Sequence, residues 1–131
     1  MNITPELNKL SNQFQLLNVL GPVVSNIAQI LWEHDTVICS GGVTLHEAMA
    51  VCTPAFVVNQ VAHQQAKARF IEKSGAAINL GIGTQYDVKK LREALNFRKQ
   101  KLESMSLKAK QLIDGQGVFR VIDAINKLIK I

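Results

Sequence analysis

The sequence predicts an α/β domain built on a Rossmann-like parallel sheet with helices on both faces. Short apolar runs rich in β-branched residues alternate along the chain with longer segments in which apolar residues recur every three or four positions. Strands joined by helical crossovers run parallel, and a parallel sheet buries both of its faces. The 131 residues are enough for one such domain with a hydrophobic core, so we expect a single domain over residues 1–131.

The first quarter of the chain predicts two helices separated by a strand. The Thr-Pro-Glu sequence at residues 4–6 combines the N-cap, proline and acid that begin a helix, which would span residues 3–13. Residues 14–20 form an apolar run that a Gly-Pro pair ends, so we expect a strand there. Residues 23–32, with Trp32 in the apolar stripe, have helical spacing and predict an amphipathic helix.

The centre of the chain predicts a strand, a glycine turn and a helix in immediate succession. Residues 36–39 form an apolar run, Ser40-Gly41-Gly42 (the Ser-Gly-Gly turn) interrupts it, and residues 44–50 are compatible with a helix. Strand 54–58 is predicted next, followed by a polar loop at 59–65 and a helix that ends at 73–75. Strand 76–80, loop 81–84 and helix 85–95 follow. The last two predicted helices have apolar stripes at 102–113 and 118–129 and are separated by a break at 114–117.

The composition is that of an ordinary globular domain. Hydrophobic residues make up 47% of the chain and charged residues 19%, which excludes a disordered polypeptide. No stretch reaches the roughly 18 apolar residues that cross a bilayer, and the N-terminus does not resemble a signal peptide, so we expect a cytoplasmic protein. Cys39 and Cys52 lie in apolar surroundings and predict reduced, structural thiols.

Positive charge is concentrated in the last third of the chain. Residues 89–131 hold eleven of the fifteen Lys and Arg but four of the ten Asp and Glu, a balance of +7, whereas residues 1–88 come to −2. These charges lie on predicted helices with apolar stripes, so a solvated outer face is the first interpretation. Aromatic residues do not alternate with the basic ones, and we expect no nucleic-acid binding. A peripheral membrane contact stays open.

The Ser-Gly-Gly turn is the main candidate for a binding site. Two glycines let the backbone approach a ligand closely, and the unpaired amides and dipole of the following helix favour an anion such as phosphate. Glu47 lies about one turn inside that helix, where its carboxylate could accept hydrogen bonds from ribose hydroxyls. An ordinary strand-loop-helix corner with a solvated glutamate explains these residues equally well. In a parallel sheet, the loops at 21–24, 40–44 and 59–65 would converge at the carboxyl ends of the strands.

Several catalytic and metal-binding patterns are incomplete. His46-Glu47 begins like a zinc-protease helix, but Ala50 occupies the position of the second histidine. Ser40 precedes both glycines, so the turn is not a nucleophile elbow. The sequence contains neither a P-loop nor a complete dinucleotide fingerprint. We therefore expect no metal and no cofactor, and neither His46 nor His63 is a convincing general base.

Five segments carry a resemblance to a known superfamily when they are taken together: residues 35–47, 53–54, 59–65, 72–81 and 113–120. In order and spacing they resemble the C-terminal half of the two-domain GT-B glycosyltransferases, which bind UDP-sugars. Within that superfamily the chain is most similar to the UDP-sugar hydrolase of pseudaminic acid synthesis and to spore-coat and surface-polysaccharide relatives. The resemblance covers nearly the whole chain from about Leu17 onward and implies a Rossmann-like domain of the GT-B C-terminal type.

The resemblance implies a role for each part of the site. The UDP diphosphate would be received at the turn and helix start, by Ser40, Gly41, Gly42, Val43 and Thr44. Glu47 would hold the ribose, and backbone groups near Val24 would recognise uracil. The sugar would be contacted by Asn59, Gln60, His63, Gln64 and Gln65. Cys52 stands where relatives commonly have glycine, which puts the geometry of that turn in question.

The resemblance also implies parts that this sequence lacks. Relatives carry an N-terminal domain that supplies the catalytic base, and two further strands precede the first one here, so the expected domain is truncated on its N-terminal side. We expect it to bind UDP or a UDP-sugar without catalysing alone, as part of a glycosyltransferase or UDP-sugar hydrolase in surface-glycan synthesis. The alternative is a non-catalytic interaction module, or a half-glycosyltransferase that works only with a partner chain. Such a partner, or a second copy, would cover exposed sheet edges.

Overall fold

A three-stranded parallel sheet with helices around it forms the centre of the protein, in a computed structural model that describes residues 17–21 and 23–130. The strands are β1 (Val37–Cys39), β2 (Ala55–Asn59) and β3 (Ala77–Ile82), and β2 lies between the other two. The helices are α1 (Ile27–Trp32), α2 (Val43–Ala50), α3 (Ala62–Lys73), α4 (Val88–Leu95), α5 (Lys99–Leu112) and α6 (Gly117–Ile129), with a 3₁₀ turn at Gly83–Gln85. The predicted α/β, Rossmann-like class is confirmed.

Separate hydrophobic clusters lie on the two faces of the sheet. Ala55 and Val57 of β2 point to one face, where they pack with buried residues of α2 and α3. Phe56, between them, points to the other face and packs with buried residues of β3, α4 and α5. The rings of Phe56 and Phe97 meet edge to face, with centroids 6.1 Å apart. Because both faces are covered, β2 is apolar at successive positions instead of alternating.

Helix α1 is fixed at both ends. At its start the side-chain oxygen of Asn26 accepts a hydrogen bond from the amide of Gln29 at 3.4 Å. At its end the buried hydroxyl of Thr53 donates to the carbonyl oxygen of Leu31 at 2.7 Å. Leu31 is buried, but Trp32 is 69% exposed, contrary to the predicted stripe. Ile27 and Leu31, four residues apart, face the core, whereas Ala28 and Trp32 are both exposed, so the buried side of the helix is narrower than the predicted stripe.

The strand predicted at residues 14–20 is wrong over its described part. Residues 17–20 have no regular structure, whereas residues 14–16 and the predicted helix 3–13 lie outside the described residues. An apolar run becomes a strand only where a neighbour pairs with its backbone amides and carbonyls. Within the described residues the outer edge of β1 has no neighbouring strand, so β1 is an edge strand.

Three other predicted boundaries also shift. The polar loop expected at 59–65 contains only residues 60 and 61, because β2 runs to Asn59 and α3 begins at Ala62. β3 extends into the loop predicted at 81–84 and ends at Ile82. Asp87 caps α4, since its Oδ1 accepts a hydrogen bond from the amide of Lys90 at 2.9 Å, and the helix therefore begins at Val88 and not at 85.

Helix α6 forms as predicted, but it buries none of its residues. Its large apolar side chains, which are 47–83% exposed, are Val118, Phe119, Val121, Ile122, Ile125, Leu128 and Ile129. An ion pair between Asp114 and Arg120 holds the start of the helix to the preceding loop. Hydrogen bonds from the Arg120 side chain and the Gln116 amide lower the pKa of Asp114 to about 2. None of the described helices is long and apolar enough to cross a membrane.

The two cysteines are free thiols in different environments. Burial raises the pKa of the Cys39 thiol to about 12, so this side chain is protonated at neutral pH. Cys52 has a φ of 62°, in the left-handed region that favours glycine. It follows α2, where its amide donates to the carbonyl oxygen of Met49 at 3.0 Å. The backbone therefore has the conformation of a glycine turn, with a cysteine in it.

Replacing Cys52 by glycine should stabilise the protein. The substitution Cys52→Gly removes the Cβ that is strained at positive φ, and we expect the free energy of unfolding to rise by about 0.5–1 kcal/mol. Cys52→Ala is the matched control, because it removes the thiol and keeps the strain. Urea denaturation of the three proteins measures the difference. Equal stability of the glycine and alanine variants would contradict this explanation.

Candidate functional site

The Ser-Gly-Gly turn lies at the carboxyl edge of the sheet. Cys39, the last residue of β1, pairs with Val57 of β2, so the turn after β1 lies beside the end of β2 and the start of α3. Ligands of open parallel sheets collect at this edge, because the loops after neighbouring strands meet there. The predicted convergence of loops 40–44 and 59–65 is therefore confirmed by contact between Gly41 and both Asn59 and Gln64.

Gly41 is required by the close approach of its neighbours. A Cβ at this position would lie less than 3.0 Å from the Oδ1 of Asn59, and 3.1 and 3.2 Å from the Cβ and carbonyl oxygen of Gln64. Gly42 has more room, since the nearest atoms to a Cβ there, on Ser40 and Gln64, are 3.5 and 3.6 Å away. The first glycine thus allows the turn to pack on β2 and α3, and the second begins α2 as its N-cap.

The start of α2 has the features of an anion site. No side chain caps the helix, and its first turn contains no acidic residue that would occupy the amides or oppose a negative ligand. Val43 is 73% exposed, and Ser40, Gly42 and Thr44 are half-buried, so solvent reaches this end. The amides of the first helical turn can donate hydrogen bonds to a phosphate there.

Glu47 and His46 lie further along α2. Glu47, the fifth residue of the helix, is half-buried, and its carboxylate makes no hydrogen bond or ion pair with another residue in the described part of the chain. The Nδ1 of His46 lies 3.3 Å from the carbonyl oxygen of Gly42, within reach of donating a hydrogen bond to it. This contact holds the imidazole to its own helix, beside the turn.

The polar residues that follow β2 do not share one environment. Asn59 is completely buried, whereas Gln60 and His63 are exposed. The side-chain Oε1 of Gln64 accepts a hydrogen bond from the amide of Gln60 at 2.9 Å and so closes the two-residue loop. Gln64 and Gln65 are half-buried on the first turn of α3. Of these exposed and half-buried residues, Gln64 is the one that Gly41 and Gly42 approach closely.

Asn79, which sequence reasoning missed, extends the polar cluster across the sheet. The Nδ2 of Asn59 donates to the Oδ1 of Asn79 at 2.9 Å and to the carbonyl oxygen of Gly81 at 2.8 Å. The Oδ1 of Asn79 also accepts from the amide of Gly81 at 3.2 Å. A single asparagine inside an apolar strand was the available signal in the sequence, because such a position normally carries an aliphatic side chain.

Helices on both sides hold the backbone of Asn79. Its amide donates to the Oε1 of Glu72 on α3 at 2.9 Å, and its carbonyl oxygen accepts from the Nζ of Lys90 on α4 at 2.7 Å. Glu72 and Lys90 form an ion pair of 2.6 Å. The polar cluster at the ends of β2 and β3 is thereby connected to α3 and α4.

Val24 and His34 lie before and after α1 in the chain. Val24 is half-buried in the segment before α1, and no hydrogen bond among the described residues joins it to the turn. The Nδ1 of His34, two residues after the end of α1, lies 2.7 Å from the carbonyl oxygen of Ile30 in that helix. Over residues 17–21 and 23–130, no three His, Cys, Asp or Glu side chains come together as a metal site would require.

Comparison with known proteins gives one informative similarity. No family model matches the chain. The chain is 30% identical over 104 residues to the spore coat polysaccharide biosynthesis protein SpsG of Bacillus subtilis (strain 168), an alignment that covers 74% of this chain. The chain spans about 30% of the length of that relative. This similarity supports a relationship to proteins of polysaccharide biosynthesis.

Substitution of the two glycines should separate their roles. Gly41→Ala places a Cβ against Asn59 and the backbone of Gln64, and we expect it to lower the free energy of unfolding by about 1–3 kcal/mol. Gly42→Ala, the matched control one residue away, meets only ordinary contacts and should cost less than about 1 kcal/mol. Urea denaturation compares the two variants. A larger loss for Gly42→Ala would show that the close approach at Gly41 is not the limiting contact.

Proposed function

We propose that the Ser-Gly-Gly turn and the first turn of α2 bind the diphosphate of a UDP-sugar. The observation that carries the proposal is the uncapped start of α2, which packs against the end of β2 through Gly41 and has no acidic residue in its first turn. The diphosphate would be bound by Ser40, Gly41, Gly42, Val43 and Thr44. Amides and the helix dipole would stabilise the two negative phosphates in this position.

The other parts of the ligand have candidate partners around the turn. Glu47 is half-buried about one turn into α2 and its carboxylate has no partner in the described part of the chain, which suits it to accept hydrogen bonds from ribose hydroxyls. Backbone groups near Val24 would recognise uracil. Side chains at the start of α3 would contact the sugar, with Gln60, His63, Gln64 and Gln65 accessible for this role.

We assign this binding to surface-polysaccharide synthesis. The similarity to SpsG, a spore coat polysaccharide biosynthesis protein, supports the pathway. The resemblance of five sequence segments to GT-B enzymes supports the ligand class. The domain would serve a glycosyltransferase-like protein or a nucleotide-sugar hydrolase. In such a reaction, the turn and α2 would stabilise the departing UDP, while the catalytic base comes from polypeptide beyond this domain. On its own the domain would bind and not catalyse.

Titration with UDP tests the proposal directly. Amide signals of residues 40–47 should shift on addition of UDP in a two-dimensional NMR spectrum, and the melting temperature should rise. Ligand at about a hundredfold excess over its dissociation constant stabilises the folded state by about 2.7 kcal/mol. UMP, which has one phosphate, should bind more weakly. Absence of both responses at millimolar UDP would rule out this site.

Substitution of Glu47 tests the ribose contact. Glu47→Ala should raise the Kd for UDP by about ten- to a hundredfold, because hydrogen bonds to a charged group contribute about 1.5–3 kcal/mol. The Kd for the 2′-deoxy analogue should rise less, since one of the two hydroxyl partners is already missing. Glu93→Ala, at an exposed position of α4, is the control for removal of one negative charge. Equal losses for UDP and its deoxy analogue would argue against the ribose role.

The exposed face of α6 favours a second candidate, an interaction module that pairs with a second copy of this chain. Four of its apolar residues follow a three-four-three spacing, Val118, Val121, Ile125 and Leu128, which is the spacing of a helical pair. The first three residues of this stripe are β-branched and the fourth is leucine, and such side chains suit contact between helices. Phe119, which is also exposed, extends the apolar surface beside this stripe, so binding to a lipid surface is the outcome that the test below must separate from pairing.

Light scattering over a range of protein concentrations tests the pairing of α6. We expect a dimer whose Kd rises at least about tenfold in Ile125→Glu, because the variant buries a charge at the interface. Lys127→Gln changes the net charge by the same one unit on the opposite side of the helix and should have little effect. A native chain that is monomeric at all concentrations would contradict the pairing, as would binding of α6 to anionic lipid vesicles.

A further inference from the structure

We propose that Asn59 and Asn79 are positioning residues that fix the Ser-Gly-Gly turn from across the sheet. Neither asparagine would touch the ligand. Asn79 orients the side-chain amide of Asn59, and the carbonyl oxygen of that amide sets the place of Gly41. The effect on ligand binding rests on the proposed UDP site, whereas the effect on the turn does not.

Hydrogen bonds leave only one orientation for the amide of Asn59. Both hydrogens of its Nδ2 are used, by the Oδ1 of Asn79 at 2.9 Å and by the carbonyl oxygen of Gly81 at 2.8 Å. The Asn79 amide cannot be reversed either, because its Oδ1 also accepts from the amide of Gly81. Reversing either side chain would set donor against donor or acceptor against acceptor. The Oδ1 of Asn59 must therefore face away from β3, toward the turn that follows β1.

That oxygen is buried against Gly41 without a hydrogen bond. Asn59 is 0% exposed, and its Oδ1 is a buried side-chain atom that lacks a hydrogen-bond partner among the described residues. The space in front of the oxygen is where a Cβ of residue 41 would be. Only the hydrogens of a glycine Cα fit there, in the manner of a weak C–H···O contact. A buried acceptor without a partner is costly, so its position at the turn calls for a role.

Asn79, which orients Asn59, is itself held by two helices. The backbone of Asn79 is held by Glu72 of α3 and by Lys90 of α4, and these two side chains are paired with each other. Asn79 is thus connected to helices on both sides, and it transmits that restraint through Asn59 to the turn. The geometry of the turn is then set by strands β2 and β3, although the residues that would bind the diphosphate follow β1.

A double-mutant cycle separates positioning from simple stability. Asn59→Leu replaces the amide with an apolar side chain of the same branching, and Asn79→Leu removes the oxygen that accepts hydrogen bonds from both Asn59 and the amide of Gly81. We expect each change to shift the amide signals of Gly41 and Gly42 in the unliganded protein and to raise the Kd for UDP at least about tenfold. Because Asn79 acts through Asn59, the double variant should bind UDP no worse than Asn59→Leu alone.

Asn79→Asp is the conservative control. A carboxylate oxygen still accepts from both the Nδ2 of Asn59 and the amide of Gly81, so this variant should keep the native positions of the Gly41 and Gly42 signals. It should also bind UDP within about threefold of the native protein, since the orientation of Asn59 is kept. Asn59→Ala and Asn79→Ala replace the leucine variants if those do not fold.

Each outcome has a defined meaning. The positioning role would be overturned if both asparagine variants had a lower melting temperature but unshifted Gly41 and Gly42 signals. An Asn59 variant that loses affinity for a UDP-sugar but not for UDP, with the turn signals unmoved, would overturn it in favour of direct sugar contact. Shifted signals in a protein that never binds UDP would support the positioning pair and refute the UDP site.

Discussion

The contact between Gly41 and the side chain of Asn59 joins the two halves of the candidate site. Gly41 belongs to the turn after β1, and Asn59 ends β2, so this contact fixes how closely the loops of two neighbouring strands approach. Parallel pairing of Cys39 with Val57 brings the strand ends together, and the missing Cβ of Gly41 allows the final approach. The start of α2 is placed by the same contact, because Gly42 is its N-cap.

A polar pair at this position gives the sheet a property that apolar residues could not supply. Leucines in place of Asn59 and Asn79 would have the same branching, but a hydrophobic contact has no preferred direction. The amides have direction, since each donor and acceptor must find its complement in a low-dielectric interior. The hydrogen bonds from Asn59 to Asn79 and Gly81 therefore orient a side chain as well as stabilise the ends of β2 and β3.

The sequence predicted the parts of the fold that depend on local pattern. The three paired strands, the glycine turn and the helix after it were visible because apolar runs and glycines act over a few residues. The interaction of Asn59 with Asn79 was not, because it depends on the register between strands twenty residues apart. The apolar stripe of α6 indicated a helix correctly, but periodicity carries no information about which surface covers it. Residues 14–20 show the same limit, because an apolar run does not reveal whether a strand has a neighbour.

The edge strand β1 has a consequence for how the protein behaves at high concentration. Unpaired edge amides and carbonyls can recruit strands from other molecules, which is how sheet proteins aggregate. β1 is only three residues long, and the Ser-Gly-Gly turn ends it at once. A foreign strand would find few backbone groups to pair with before the chain turns into α2. The turn that forms the candidate site thus also shortens the surface on which fibrillar growth could start.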